Sequence, residues 1–99
     1  VVGGRSVGVP GTPRAFEALH EAHGRMAWAD LLRPAIDMAE AGFQVSPRMA
    51  ASIAEAAEKG LRTFSAARYY FFGPDGAPLA AGAMLANPDY AATLRLLAR

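Results

Sequence analysis

Apolar residues recur at a helical period along most of the chain, between short turns marked by glycine and proline. The clearest stripe belongs to a segment that starts near Met26. It has apolar side chains at one helix face: Trp28, Leu31, Leu32, Ala35 and Ala39. Pro34 interrupts this stripe and predicts either a kinked helix or two short helices meeting near Arg33. Gly42 is expected to end the segment.

Three further helices are predicted where a capping side chain stands directly before a proline, at Thr12-Pro13, Ser46-Pro47 and Asn87-Pro88. Each is followed by residues at helical spacing. The first helix carries Phe16, Leu19, His20 and His23, and we expect it to end at Gly24 in a left-handed conformation. The second has Met49, Ala50, Ile53, Ala54 and Ala57 on one face and stops at Gly60. The last carries Tyr90, Ala91, Leu94 and Leu97.

The only β-structure is predicted in the segment between Gly60 and the last helix. A short helical turn over 61–68 should hold Leu61 and Phe64 inward. "YYFF", residues 69–72, is the strong strand candidate because it is aromatic and bounded by turn residues. "GPDG", 73–76, predicts a turn, after which 77–82 returns as a weak second strand or an extended arm. The fold class is therefore mainly α with a small β-hairpin, in a single partial domain over residues 1–99.

Composition suggests a piece of something larger. For 99 residues, 53% hydrophobic and 19% charged is an apolar balance for a small free-standing domain. The first residue is Val1 rather than methionine, which predicts a cut inside a longer sequence. Neighbouring chain would cover the apolar faces, and the isolated chain is expected to self-associate. The net charge of +1 comes from scattered residues, so nucleic-acid binding is not predicted. No apolar run approaches the length needed to span a bilayer, so membrane insertion is not predicted either.

Candidate chemistry is sparse. The loop "SVGVPGTP", Ser6 to Pro13, lacks the lysine of a phosphate-binding loop, and we interpret it as a turn and helix entry. His20 and His23, with Glu17, could begin a metal site, but there is no cysteine or third histidine to complete it. The carboxylates and arginines are interpreted as solvated or helix-end charges. No catalytic, cofactor or metal-binding residue is predicted, and no cofactor.

An ordered set of motifs nevertheless resembles a known family. "VGVPGT" (7–12) is followed by "AFEALHEAHGRMAWADLLRPAIDMAEAGFQVSPRMA" (15–50), then "LRTF", "PDGAPL" and "NPDYAATLRLLA" (87–98). This order is similar to the large-subunit segment of the gamma-glutamyltransferases, also called glutathione hydrolases. The chain departs from the family pattern at 13–15 and at Ala83. The resemblance implies the four-layer αββα fold of N-terminal-nucleophile hydrolases, with this segment supplying outer helices and one small hairpin.

The resemblance also implies an activity. Enzymes of this family are zymogens that cleave themselves, and the threonine freed at the start of the small subunit attacks the gamma-glutamyl amide of glutathione. The acyl group then passes to water or to an amino acid or peptide acceptor. Family members are periplasmic or secreted. The partners implied are the remainder of the large subunit, the small subunit and a glutathione-type substrate.

Carrying the family's catalytic residues onto this chain gives a negative result. Thr12, Thr63 and Thr93 stand in the wrong contexts for the nucleophile, and the substrate-binding arginine of the family lies upstream of Val1. The chain alone is therefore expected to be an inactive scaffold. Two other readings of the chain stay open: a stand-alone helical protein-interaction module, and a segment of a related N-terminal-nucleophile acylase.

Overall fold

The computed structural model describes residues 7–99, so the cut expected before Val1 and the loop residue Ser6 lie outside the described residues. Within these residues, five α-helices and two short strands follow one another. They are α1 (Thr12–His23), α2 (Trp28–Ala41), β1 (Phe43–Gln44), α3 (Pro47–Glu58), a 3-10 turn (Leu61–Thr63), α4 (Ser65–Phe71), β2 (Met84–Leu85) and α5 (Pro88–Leu97). The predicted class, mainly α with a small β-hairpin, is confirmed, and its two strands pair antiparallel.

The described residues form two compact units. Unit 1 contains the residues up to Ala41 and Ala86–Arg99, and therefore holds α1, α2 and α5. Its core lies between α2 and α5 and consists of Ile36, Ala39, Ala91 and Leu94. The two alanines leave little side-chain volume between the helices, so these can approach closely and exclude water. The backbone N–H of Asn87 donates to the carbonyl of Ala39 at 2.7 Å, which fixes the start of α5 against the end of α2.

Unit 2 is the continuous segment Gly42–Leu85. Its strands pair antiparallel, with Phe43 opposite Leu85 and Gln44 opposite Met84. The pairing continues in two backbone bonds of 2.8 Å, from the Val45 N–H to the Ala83 carbonyl and from the Gly82 N–H to the Val45 carbonyl. Val45 is only 2% exposed and is therefore buried. Four other residues of unit 2 are buried as well: Ile53, Ala57, Phe72 and Leu85.

Two of the three predicted caps are confirmed. The Ser46 hydroxyl accepts from the Met49 N–H at 3.1 Å, and the Asn87 side chain accepts from the Tyr90 N–H at 2.9 Å. The cap at Thr12 is wrong. Thr12 is the first residue of α1, Gly11 occupies the cap position, and no side chain accepts a bond from the first turn. Glycine is itself tolerated at a helix cap, which explains how α1 can begin one residue early.

The strand predicted over 69–72 is also wrong, because 69–71 belong to α4. The Arg68 N–H donates to the Phe64 carbonyl at 2.9 Å, so the helix is already formed when the aromatic run begins. Aromatic preference for strands reflects packing more than backbone conformation, and the strand pair of the described residues lies elsewhere, between β1 and β2. Phe72 alone forms a β-bridge, to Pro78, so 77–82 is the extended arm rather than a strand.

Glycine conformations and the path of α2 test the predicted helix ends and the predicted kink. Gly42, Gly60 and Gly76 have positive φ, as their predicted roles at two helix ends and a turn require. Gly24 ends α1, but in an extended conformation with φ −70°, so the left-handed end predicted there is wrong. Helix α2 runs continuously through the exposed Pro34, which excludes the two short helices.

The inward position predicted for Phe64 is wrong, because its side chain is exposed.

We expect Asn87→Ala to destabilise the chain by about 0.5–2 kcal/mol, because the Tyr90 N–H at the first turn of α5 loses its acceptor. Thermal unfolding followed by circular dichroism measures the change. Asn87→Ser keeps a capping oxygen and is the control. A loss as large in Asn87→Ser as in Asn87→Ala would contradict the capping role.

Candidate functional site

His20 is held by local structure at the end of α1. Its Nε2–H donates to the Met26 carbonyl at 2.7 Å, because a carbonyl oxygen can only accept. The imidazole also lies 5.3 Å, centroid to centroid, from the ring of Trp28. The Trp28 indole N–H in turn donates to the Leu97 carbonyl at 2.7 Å. His20 and Trp28 therefore connect the loop after α1 to α2 and to the end of α5.

His20, His23 and Glu17, which the sequence analysis considered and did not favour as metal ligands, each lie in a different setting. Glu17 forms an ion pair with Arg14, one turn back along α1, and His23 is exposed. Because His20 donates through Nε2, that nitrogen is not free to bind a metal. Among residues 7–99, no group of three or more His, Cys, Asp or Glu side chains could hold a metal ion.

The three threonines lie apart from one another in the sequence and do not form one site. The Thr63 hydroxyl donates to the Gly60 carbonyl at 2.7 Å, and the Thr93 hydroxyl donates to the Asp89 carbonyl at 3.1 Å. Both bonds are local, to a residue three or four positions earlier. Thr12 is exposed at the start of α1. Within residues 7–99, none of these hydroxyls donates to a side chain that could act as a base.

Most paired charges lie on exposed helix surfaces, as expected. The ion pairs join Arg14 to Glu17, Arg33 to Asp30, Lys59 to Glu55 and Arg95 to Glu40. The hydrogen bond from Arg14 to Glu17, and then the charges of Glu17 and Glu21, raise the pKa of Arg14, so its guanidinium stays protonated. Asp75 is the turn residue that was predicted, since its Oδ1 accepts from the Ala77 N–H at 3.0 Å.

Arg62 has a structural role that the sequence did not reveal. Its Nη1 donates to the Gly76 carbonyl at 2.6 Å, and its guanidinium carbon lies 4.7 Å from the centroid of the Phe72 ring. The side chain thus ties the turn at 73–76 to the 3-10 turn of unit 2. A separation of 14 residues gives no periodic pattern from which this contact could have been found.

Lys59 lowers the pKa of Glu55, first through its hydrogen bond and then through its charge. A depressed pKa in the folded state contributes stability above the ordinary pKa of 4.5, and the contribution is lost as the pH falls through the folded value. We expect the Glu55 carboxyl, followed by NMR, to titrate below 4.5, and Lys59→Met, which removes both the donor and the charge, to return it to that value. Because both side chains are exposed, 1 M salt should weaken the shift. An unchanged titration in Lys59→Met would contradict this assignment.

Two concave surfaces of unit 1 are mainly apolar. One cavity of about 440 Å³ is lined by Pro10, Pro13, Trp28, Leu96 and Leu97, together with Arg14, Glu17 and Arg99. A second, of about 260 Å³, lies between α1 and the α2–α5 pair. The loop from Val7 to Gly11 is exposed, and the Gly11 carbonyl accepts from the Ala15 N–H at 3.0 Å as α1 begins. These surfaces offer packing, and the residues that line them supply no convergent acid, base and nucleophile.

No helix in the described part of the chain combines the length and the apolar character needed to cross a bilayer.

Two known proteins similar to this chain are named as proenzymes and are much longer than it. The acylase ACY 1 proenzyme of Pseudomonas sp. (strain SE83) is 37% identical over 98 residues, covering 99% of this chain and 17% of that protein. The glutathione hydrolase proenzyme of Bacillus subtilis (strain 168) is 37% identical over 97 residues, covering 98% of this chain and 16% of that protein. The chain thus spans about one sixth of the length of these curated relatives.

Solved structures agree with the sequence comparison. The gamma-glutamyltranspeptidase of Helicobacter pylori matches with a TM-score of 0.84 and 30% identity, over 94% of this chain and 26% of that chain. The Bacillus anthracis transpeptidase enzyme CapD matches with a TM-score of 0.83 and 31% identity, over 99% of this chain and 33% of that chain. The model of the gamma-glutamyltranspeptidase family matches residues 1–99. With sequence, fold and family model in agreement over the whole length, the chain belongs to the gamma-glutamyltranspeptidase family, which is a family of enzymes.

Proposed function

We propose that these residues are a large-subunit segment of a glutathione hydrolase that transfers the gamma-glutamyl group of glutathione to water or to amino acid and peptide acceptors. The observation that carries this proposal is the family match over residues 1–99, supported by the Bacillus subtilis glutathione hydrolase proenzyme. The segment would be one partial domain of the parent enzyme. Its partners would be the remainder of the large subunit and the small subunit.

The reaction would proceed through an acyl-enzyme on a threonine outside residues 1–99. An N-terminal threonine can use its own amino group as the base, which suits a nucleophile released by cleavage of a proenzyme. Hydrogen-bond donors would then stabilise the tetrahedral oxyanion. Support comes from the relatives named as proenzymes, and from the local hydrogen bonds that engage Thr63 and Thr93 in this chain.

The part of this chain would be to scaffold the enzyme. Among residues 7–99, its threonine hydroxyls donate to no side-chain base, its histidine pair has no third metal ligand, and its ion pairs lie on exposed surfaces. These positions are consistent with a scaffold role in the enzyme. They also favour the proposal that the isolated chain is inactive.

The test compares the parent enzyme with the 99-residue chain, using a gamma-glutamyl anilide as substrate. We expect the processed parent to release the aniline and to carry the gamma-glutamyl group on its small-subunit threonine, as detected by mass spectrometry. The isolated chain should release none above the uncatalysed rate. Turnover by the chain would disprove the scaffold role, and a parent without turnover would disprove the proposed substrate.

A related acylase is the second candidate, because the Pseudomonas acylase ACY 1 proenzyme and the Bacillus glutathione hydrolase proenzyme are equally similar to this chain, each at 37% identity. Such an enzyme would act on a different amide, for example the acyl side chain of a beta-lactam. Assaying the parent enzyme with both substrate types separates the two candidates. A kcat/KM higher for the beta-lactam amide than for the gamma-glutamyl anilide would favour the acylase.

A further inference from the structure

Helix α1 has an apolar face that the described residues leave uncovered. Phe16 and Leu19 lie one turn apart on this face and are 59% and 60% exposed. No residue of α1 is buried, whereas α2 and α5 each bury two. Helices of this length depend on burial of their apolar face more than on intrinsic propensity. An uncovered face therefore indicates that something else packs on α1.

The uncovered face borders a groove. Phe16 lines the cavity of about 260 Å³ between α1 and the α2–α5 pair, opposite Trp28, Tyr90 and Leu97. Tyr90 and Leu97 are themselves exposed large hydrophobic residues. Phe16, Tyr90 and Leu97 line this cavity, and Leu19 extends the exposed apolar face of Phe16 by one turn along α1. We call the apolar docking surface made by these four side chains the α1 groove. Contiguous exposed apolar surface of this kind is typical of a site covered by another protein segment.

The lining of the groove favours an apolar occupant. Among the described residues, none that lines the cavity of about 260 Å³ is charged. The length of the related enzymes indicates where the occupant comes from. The part of the Helicobacter pylori enzyme that matches this chain is only 26% of that polypeptide, so most of it lies outside the matched segment. A neighbouring stretch of the same polypeptide is tethered, so its effective concentration exceeds that of a second copy.

We propose that an apolar segment of the parent polypeptide, outside residues 1–99, packs into the α1 groove. This inference rests on the proposed function, because it treats the chain as one segment of a larger enzyme. It specifies which surface the rest of the enzyme covers. The opposite face of α1, which carries Ala18 and Glu21, remains accessible to solvent.

Single cysteines test this in the parent enzyme, since residues 1–99 contain none. Leu19→Cys probes the groove and Ala18→Cys is the matched control on the opposite face. Each folded variant is labelled with a maleimide and analysed by peptide mass mapping, and labelling in urea gives the reference rate. We expect Leu19→Cys to react at least tenfold more slowly than Ala18→Cys when folded, and equally fast in urea. Equal rates in the folded enzyme would overturn the proposal.

Two further measurements separate the remaining outcomes. Protection of Leu19→Cys that disappears on dilution would identify a second copy as the occupant and would also overturn the proposal. If Leu19→Cys does not fold, hydroxyl-radical footprinting of the unmodified parent should show Phe16 and Leu19 protected, and their full oxidation would overturn it. Turnover of the gamma-glutamyl anilide is measured separately. Protection without turnover would disprove the proposed substrate and leave the docking surface standing.

Discussion

Replacing Leu94 with alanine is expected to destabilise unit 1 by about 2–5 kcal/mol, more than any other substitution proposed for this chain. Leu94 is 6% exposed and packs in the core with Ile36, Ala39 and Ala91. The methyl side chains of Ala39 and Ala91 cannot rotate into the space left by the removed side chain. The cavity would therefore persist, and its cost adds to the lost burial.

Trp28 allows this change to be measured, because it is the only tryptophan and lies in unit 1. Urea unfolding followed by its fluorescence gives the free energy of unfolding of each variant. Leu96→Ala, on the same helix, is the control: Leu96 is 61% exposed in the described structure, and its loss should cost less than about 1 kcal/mol. Equal destabilisation by the two substitutions would contradict the α2–α5 core.

Substituting Gly24 with alanine is expected to cost about 1–3 kcal/mol, because the added methyl group has no space. A Cβ at this position would lie 2.6 Å from the His20 carbonyl oxygen and 2.5 Å from His20 Nε2. The φ of Gly24, −70°, suits any residue, so the cost is steric. Moving the imidazole aside would also break its bond to the Met26 carbonyl.

Gly8→Ala is the matched control for Gly24→Ala. A Cβ on Gly8 meets nothing within 4 Å, so the free energy of unfolding should change by less than about 0.5 kcal/mol. The double variant His20→Ala, Gly24→Ala separates the two contacts. It should recover only part of the loss, since the backbone carbonyl remains. Full recovery would show that the imidazole alone excludes the methyl group.

The helices were predictable where two independent signals agree. At α5, the cap of Asn87 and the apolar spacing of Ala91 and Leu94 point to the same element, and the structure has it. At residues 69–72 only the aromatic preference was available, and the helix started by Ser65 extends through most of this run. The conformation at a helix end also depends on individual local contacts. Gly24 ends α1 as expected, but its conformation depends on His20, whose contact with Met26 no pattern encodes.

For the candidate site, the sequence yielded only a negative prediction. Motif spacing left Thr63 and Thr93 without a catalytic context, and in the structure both hydroxyls bond to nearby backbone carbonyls. The ordered motifs identified the family, which the comparisons show. The α1 groove could not be predicted, because the spacing of Phe16 and Leu19 is the same whether a helix face is buried or uncovered. Only the exposed area of each side chain distinguishes the two cases.

The strand pairing of unit 2 has a consequence for the order of folding. Phe43 and Leu85 are paired, so the two ends of this continuous segment are adjacent once it has formed. The core of unit 1 must join α2 to α5 across that segment, and closing so long a loop costs entropy. A unit 2 formed first would shorten the loop. In pulsed hydrogen exchange, the Val45 and Gly82 amides should therefore become protected before the Asn87 amide, and the reverse order would exclude this route.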